Sequence, residues 1–96
     1  MTAPQIIIIY KEIAKGALQS FKPAYDQPEN SNYRFRLTPY AESYYENAKS
    51  LTDYLIDESK KLLKEADSDT DIDQLSYQLS EIGKQTYQEY LSAYKP

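Results

Sequence analysis

The sequence feature that most constrains the fold is a seven-residue repeat in the middle of the chain. No Gly or Pro occurs between positions 40 and 66, and apolar residues recur there at every seventh position. A second series, three residues after the first, contains Tyr44 and Leu51 and then the polar Glu58 and Glu65. This spacing places the apolar side chains along one face of a long helix, as in antiparallel bundles. The members of the repeat are Ala41, Ala48, Leu55 and Leu62.

The start of this helix is predicted at Thr38-Pro39. Thr is a favoured N-cap residue, and Pro is favoured at the first helical position because its missing N–H would have no partner there. The sequence therefore predicts a helix over residues 39–66.

A first helix is predicted over residues 5–21. Thr2 and Gln5 match a capping box, and Pro4 suits a first helical turn. The four isoleucines at positions 6–9 are β-branched, so a short buried strand is the alternative for residues 6–10. The charged residues that follow are interleaved at helical spacing, which favours the helix. Its expected apolar face consists of Ile6, Ile9, Ile13 and Ala17, with Tyr10, Ala14 and Phe21 beside it.

A third helix is predicted over residues 72–94. Gly83 lies inside it at a cost of about 1 kcal/mol relative to Ala, and either allows close approach of a neighbouring helix or marks a bend. Together the three segments predict an all-α protein, an antiparallel helical bundle forming one domain over residues 1–96. The expected apolar face of the third helix consists of Ile72, Leu75, Leu79, Ile82, Thr86 and Ala93.

The connection between the first two helices is predicted to be mostly irregular, because it contains Pro23, Pro28 and a polar run. The alternation over residues 33–37 fits a short extended piece or a helical turn covering the bundle, so a short fourth helix within residues 24–37 stays open. Arg and aromatic residues together are typical of interfaces. The candidate partner-binding residues here are Arg34, Phe35 and Arg36, with packing on the bundle as the alternative.

Composition excludes several classes of function. The formal net charge is -4, and the basic residues are scattered, which argues against nucleic-acid binding. The chain has neither Cys nor His, which removes thiolate catalysis, most structural zinc sites and the commonest general base. It also lacks a phosphate-binding loop and a nucleophile elbow. We therefore predict a protein that is not an enzyme and that has no cofactor and no metal site.

The expected location is the cytoplasm. The longest aliphatic run, residues 6–9, is far too short to cross a bilayer. The residues before it lack the positive flank of a signal peptide. Contact with a membrane is therefore expected only through a partner.

The acidic run DSDTDIDQ over residues 67–74 has the spacing that opens a calcium-binding loop. Such a loop needs Gly at its sixth position and Glu at its twelfth, where this chain has Ile72 and Gln78. The run is therefore predicted to be a turn between helices, with Thr70 and Asp73 resembling a capping box. The candidate N-cap residues are Ser68, Asp69, Thr70 and Asp71.

Tyrosine is the dominant aromatic residue, with 11 copies in the chain. Each ring buries a large area but its hydroxyl needs a partner, so we expect many of them half-exposed at the rim of the core or on a binding face. Tyr87, Tyr90 and Tyr94, followed by Lys95, form a stripe near the end of the third helix. These four residues are candidates for partner binding, since Tyr is favoured at binding hot spots. The outer edge of the core is the alternative.

Residues 73–84, DQLSYQLSEIGK, resemble the last bundle helix of the enterocin A immunity family. Members of this family protect lactic acid bacteria and streptococci from class IIa bacteriocins. The Thr-Pro start of the preceding helix and the Tyr-rich tail are similar as well. The residues that carry the resemblance are Leu75, Leu79, Ser80, Glu81, Ile82, Gly83 and Lys84.

The resemblance implies a fold, a function and a partner. It implies an antiparallel four-helix bundle acting in the cytoplasm, without catalysis, on a membrane sugar permease of the mannose phosphotransferase type with bound bacteriocin. The C-terminal part of such proteins largely decides which bacteriocin is countered, which points to Tyr87, Tyr90, Tyr94 and Lys95. The alternative function is a small helical adaptor or secretion-system partner, although the Trp-x-Gly turn of such two-helix proteins is absent.

Overall fold

The computed structural model describes residues 1–23 and 37–96. These residues form three α-helices and contain no strand: α1 (Ala3–Ser20), α2 (Leu37–Lys64) and α3 (Ile72–Ala93). The all-α prediction is confirmed. The question of a fourth helix within residues 24–37 falls outside the described residues except at Leu37, which begins α2.

Helix α1 begins as predicted at a capping box. The Gln5 amide donates to the Thr2 hydroxyl at 3.3 Å, and the Thr2 amide donates to the Gln5 side-chain oxygen at 2.9 Å. The four isoleucines are helical, so the strand alternative is wrong. The face towards the core is shifted from the predicted one, because Ile9 and Ile13 are only partly buried. The buried residues of α1 are Ile6, Tyr10, Ala14 and Ala17.

Helix α2 begins two residues before the predicted position. Thr38 therefore lies inside the helix and is not its N-cap. Pro39 remains in the first turn, where the N–H that it lacks would have had no helical partner, so the Pro signal is compatible with either start. The central part of the seven-residue repeat and of its second series is buried, namely Tyr44, Ala48, Leu51 and Leu55. Towards the ends of the repeat, Ala41 and Leu62 are only partly buried.

The acidic run forms the turn between α2 and α3, as predicted. Asp71 is the N-cap of α3, and its carboxylate accepts a 3.1 Å hydrogen bond from the Gln74 amide. The predicted capping box of Thr70 and Asp73 is wrong by one residue. Another residue of this turn, Asp67, accepts a 2.8 Å hydrogen bond from the Met1 ammonium group and so connects the turn to the start of α1.

Two residues predicted for the apolar face of α3 are exposed. Ile72, in the first turn of α3, is 43% exposed, and the buried face of the helix begins one turn later at Leu75. Ala93 is exposed as well, and Tyr90 takes the core position. A straight α-helix rotates by ~20° every seven residues relative to a strict seven-residue repeat. After Thr86, the next residue that faces the core is therefore Tyr90, four positions later, and Ala93 faces outward. The buried residues of α3 are Leu75, Leu79, Thr86 and Tyr90.

Each helix packs against the other two. The short turn at residues 65–71 makes α2 and α3 antiparallel. Helix α1 also runs antiparallel to α2, since Met1 contacts Asp67 beyond the end of α2, whereas Tyr10 reaches Leu55 farther up that helix. None of the helices in the described part of the chain combines the length and apolarity that crossing a bilayer requires.

Candidate functional site

Two tyrosine rings are fully packed inside the helical core. Tyr10 of α1 donates its hydroxyl to the Leu55 carbonyl of α2 at 3.0 Å. Tyr90 of α3 donates to the Tyr44 carbonyl of α2 at 3.2 Å, and its ring stacks on that of Tyr44 with centroids 5.7 Å apart. Main-chain carbonyls of a neighbouring helix therefore supply the partners that these buried hydroxyls require.

Two further tyrosines of α2 bind the end of α3. Tyr44 donates to the Leu91 carbonyl at 2.8 Å, and Tyr40 donates to the Tyr94 carbonyl at 3.0 Å. Carbonyls in the last turn of a helix have no intrahelical partner. These hydroxyls thus satisfy the C-terminal end of α3 while their rings contribute to packing.

The predicted Tyr stripe near the end of α3 is divided by the fold. Tyr90 is 0% exposed, so it belongs to the core and presents no surface to a partner. Tyr87 and Tyr94 are half-buried, and Lys95 is exposed. The burial of Tyr90 therefore removes it from the residues predicted to bind a partner. The candidates Arg34, Phe35 and Arg36 lie outside the described residues.

Ionisation of the core tyrosines predicts a loss of stability in alkali. Burial raises the pKa of Tyr10 and of Tyr90 to about 12, with nearby tyrosines adding to the effect at Tyr90. Since these folded-state pKa values exceed the unfolded value of 10, the stabilisation that the two neutral hydroxyls contribute should be fully present below pH 10. From there to pH ~12, each group should lower the free energy of unfolding by roughly 1.4 kcal/mol per pH unit. Urea unfolding at several pH values in this range measures how steeply the free energy of unfolding falls with pH. Tyr10→Phe and Tyr90→Phe should each make this fall less steep. An unchanged pH dependence in both variants would show that these two hydroxyls are not its cause.

An open groove of about 620 Å³ lies between α2 and α3, and we call it the α2–α3 groove. Of the described residues of α1, only Tyr10 reaches it. Its α2 wall includes Tyr45, Lys49, Thr52, Asp53, Ile56 and Ser59. Its α3 wall includes Ser76, Ser80, Gly83, Lys84, Tyr87 and Gln88.

Many groove residues directly follow a core residue in the sequence, so they repeat at the same helical spacing as the core. The buried Tyr44, Ala48, Leu51 and Leu55 are each followed by a groove residue, and the same holds for Leu75 and Leu79 on α3. Residues three and four apart lie on one helix face. The groove is therefore a second continuous stripe on each helix, beside the stripe that packs in the core.

Gly83 and Tyr10 both line this groove. A Cβ atom at position 83 would lie 3.3 Å from the Tyr10 hydroxyl oxygen, which is tighter than ordinary contact. The hydroxyl is fixed there by its hydrogen bond to Leu55. The sequence left open whether Gly83 allows close approach of a neighbouring helix or marks a bend. The structure supports close approach, and the group that approaches is the Tyr10 side chain of α1.

A double-mutant cycle tests this contact. In the wild-type background, Gly83→Ala should change stability little, because a gain in helix propensity of about 1 kcal/mol is offset by crowding of the Tyr10 hydroxyl. In the Tyr10→Phe background the hydroxyl is gone, and Gly83→Ala should stabilise by the full gain. Urea unfolding of the four proteins gives the coupling, for which we expect about 0.5–1 kcal/mol. Equal effects of Gly83→Ala in both backgrounds would show that the contact is unimportant.

Two lysines lie across the groove from each other. Lys49 is five residues after Tyr44, and Lys84 is seven residues before Leu91, which the Tyr44 hydroxyl contacts. The two lysines are therefore within about one helical turn of the same level. Lys84 lies 3.6 Å from Glu81 on its own helix, but this pair is largely exposed and contributes little. Although the protein is acidic, the two walls place paired positive charges along an apolar groove.

The chemistry of the groove suits binding. Among its described residues, the hydroxyl groups come from three serines, one threonine and three tyrosines, and the chain has no His or Cys to activate one as a nucleophile. Among residues 1–23 and 37–96, no cluster of His, Cys, Asp or Glu is arranged to hold a metal ion. Every buried side-chain nitrogen or oxygen atom in that same part has a hydrogen-bond partner.

Of the described groove residues, sequence reasoning had named only Tyr87 as a candidate for partner binding. Thr52, Ser76 and Ser80 are small polar residues that resemble an ordinary solvent-facing surface. A signal was nevertheless present, because small residues recur at Ser76, Ser80 and Gly83, at the spacing of one helix face.

Comparison of the chain with family models, with curated proteins and with solved structures gives no match. The function is therefore argued from the residues and their arrangement.

Proposed function

We propose that this protein is a bacteriocin immunity protein of the enterocin A immunity type, which protects the producing cell by recognising another protein. In this proposal it acts in the cytoplasm, without catalysis, and its partner is a mannose-type sugar permease with bound bacteriocin. The α2–α3 groove is the recognition surface. The observation that carries the proposal concerns residues 79–84, LSEIGK, in α3. Some of these residues pack in the core and others line the α2–α3 groove.

The segment divides between core and groove. Leu79 is fully buried, and Ile82 packs against the core. Ser80, Gly83 and Lys84 line the groove. The residues that resemble the immunity family thus include one set that maintains the fold and another that shapes an accessible surface. A surface of this kind supports recognition of a protein partner.

Expression in a bacteriocin-sensitive strain tests the proposal. We expect the protein to raise the concentration of at least one class IIa bacteriocin that is needed to stop growth. The control is the same strain producing the Tyr90→Ala variant, in which the core is disrupted. No protection against a panel of class IIa peptides, from a protein that is folded and abundant in the cell, would contradict the proposal and favour a helical adaptor with another partner.

A further inference from the structure

We infer that the α2–α3 groove receives one amphipathic α-helix of the partner protein, with an acidic side chain of that helix placed between Lys49 and Lys84. This inference rests on the proposed recognition function and specifies the chemistry of its partner. It is carried by three properties of the groove, namely its length, its small residues and its charge.

The length of the groove fits a helix of about four turns. The α2 wall covers the 15 residues from Tyr45 to Ser59, a rise of about 21 Å at ~1.5 Å per residue. The N-terminal part of the α3 wall carries three small residues, Ser76, Ser80 and Gly83. Small residues let a helix approach to the interaxial distance of ~8–10 Å at which helices pack. The occupant would take the position that a further helix has in a bundle.

The main chain of the groove favours a helix over an extended peptide. Both walls are α-helices, whose amides and carbonyls are already paired within each helix. An extended peptide binds by adding to the exposed edge of a sheet, which these walls do not provide. A helix brings its own main-chain hydrogen bonds and needs only a surface for its apolar side chains.

The charge of the groove favours an acidic occupant. Lys49 and Lys84 lie at about the same level on opposite walls, and Asp53 is the one acidic residue among the described lining residues. Glu81 lies 3.6 Å from Lys84, but this pair is exposed and therefore weak. A second copy of this chain would bring four such lysines together against two Asp53 side chains. Like charges facing each other across an interface are unfavourable, whereas a carboxylate placed between two lysines is favourable. The observations therefore favour a different protein as the partner.

A library of displayed helical peptides tests the inference on the full chain. The peptides are about 14 residues long, with a fixed Leu and Ala face and randomised neighbouring positions. We expect selection to enrich Asp or Glu at one position. The Lys49→Glu/Lys84→Glu protein should instead select Lys or Arg there. Exchanging the selected acidic residue for Lys should weaken binding to the wild-type protein by about tenfold.

A matched pair of variants locates the binding surface. Ser80→Arg fills the groove, whereas Ser92→Arg adds the same charge on the same helix, where Ser92 is exposed and does not line the groove. Binding of the selected peptides should be lost in the first variant and retained in the second. Failure to select helices, no acidic preference, or binding insensitive to Ser80→Arg would each overturn the inference.

Two other occupants would give distinct results that also overturn it. A concentration-dependent dimer that Ser80→Arg abolishes would identify a second copy as the occupant. Cross-linking of position 80 to residues 24–36 within the monomer would show that the chain covers its own groove. Protection of cells without peptide selectivity would reject this inference alone, whereas peptide selectivity without protection would reject the proposed function and leave a helix-binding protein.

Discussion

The Tyr90→Ala variant should lose about 3–5 kcal/mol of folding free energy, the range for truncating a buried aromatic residue. Tyr90 is fully buried, stacks on Tyr44 and donates its hydroxyl to the Tyr44 carbonyl. The variant loses the packing and the hydrogen bond together. Small domains have only about 5–15 kcal/mol of total stability, so much of the variant should be unfolded at growth temperature. Urea unfolding followed by circular dichroism measures the loss.

The Tyr77→Ala variant is the control for this experiment. Tyr77 lies on the same helix but is 65% exposed, so its truncation should change stability by at most about 0.5 kcal/mol. A difference of several kcal/mol between the two substitutions would show that Tyr90 is a core residue. Equal small effects would instead place Tyr90 on the surface, as the partner-binding prediction had it.

The Leu79→Ala variant should lose about 2–5 kcal/mol, because the cavity left by a core leucine adds to the lost burial. Leu79 is 0% exposed and belongs to the core cluster formed with α1 and α2. The measurement is again urea unfolding, with the denaturant midpoint as the readout.

Ile72→Ala provides the comparison for Leu79→Ala. The sequence predicted both residues for one apolar face of α3, but Ile72 is 43% exposed and should have a clearly smaller effect. Similar losses at the two positions would contradict the boundary of the core described above.

The helical class and the core face of α2 were predictable because one local rule determines both. The seven-residue repeat gives the length of the helix, and the same repeat selects the side chains that are buried. The ends of the helices and their caps are less constrained. Asp71 and its neighbours all have side chains that can cap a helix, so the sequence alone does not distinguish among them.

The complete burial of Tyr10 and Tyr90 required the three-dimensional arrangement. Tyr10 can be buried only because the Leu55 carbonyl of another helix lies within reach of its hydroxyl, and Gly83 leaves room for it. That geometry depends on residues far apart in the chain. The helical spacing had placed Tyr44 and Tyr10 at or beside the core, whereas Tyr90 was a candidate for partner binding and is fully buried. Composition predicted many half-exposed rings, and Tyr40, Tyr87 and Tyr94 are partly buried.

The groove was not predictable for a related reason. Its residues follow the core stripe by one position, so on each helix alone they belong to a mixed polar surface. Only the register between α2 and α3 brings Lys49 and Lys84 to the same level, on helices joined by the turn at residues 65–71. The resemblance to immunity proteins covered Ser80, Gly83 and Lys84, but it did not show that these residues share a surface with α2.

The most direct test of recognition through the groove is the class IIa bacteriocin concentration that stops growth of a sensitive strain. It should be compared for cells producing wild-type protein, Ser80→Arg or Ser92→Arg at equal abundance. Circular dichroism must first show that both variants are folded. We predict that wild-type protein and Ser92→Arg raise this concentration equally, and that Ser80→Arg leaves it at the level of cells without the protein. Full protection by Ser80→Arg, or none by the wild-type protein, would contradict the account.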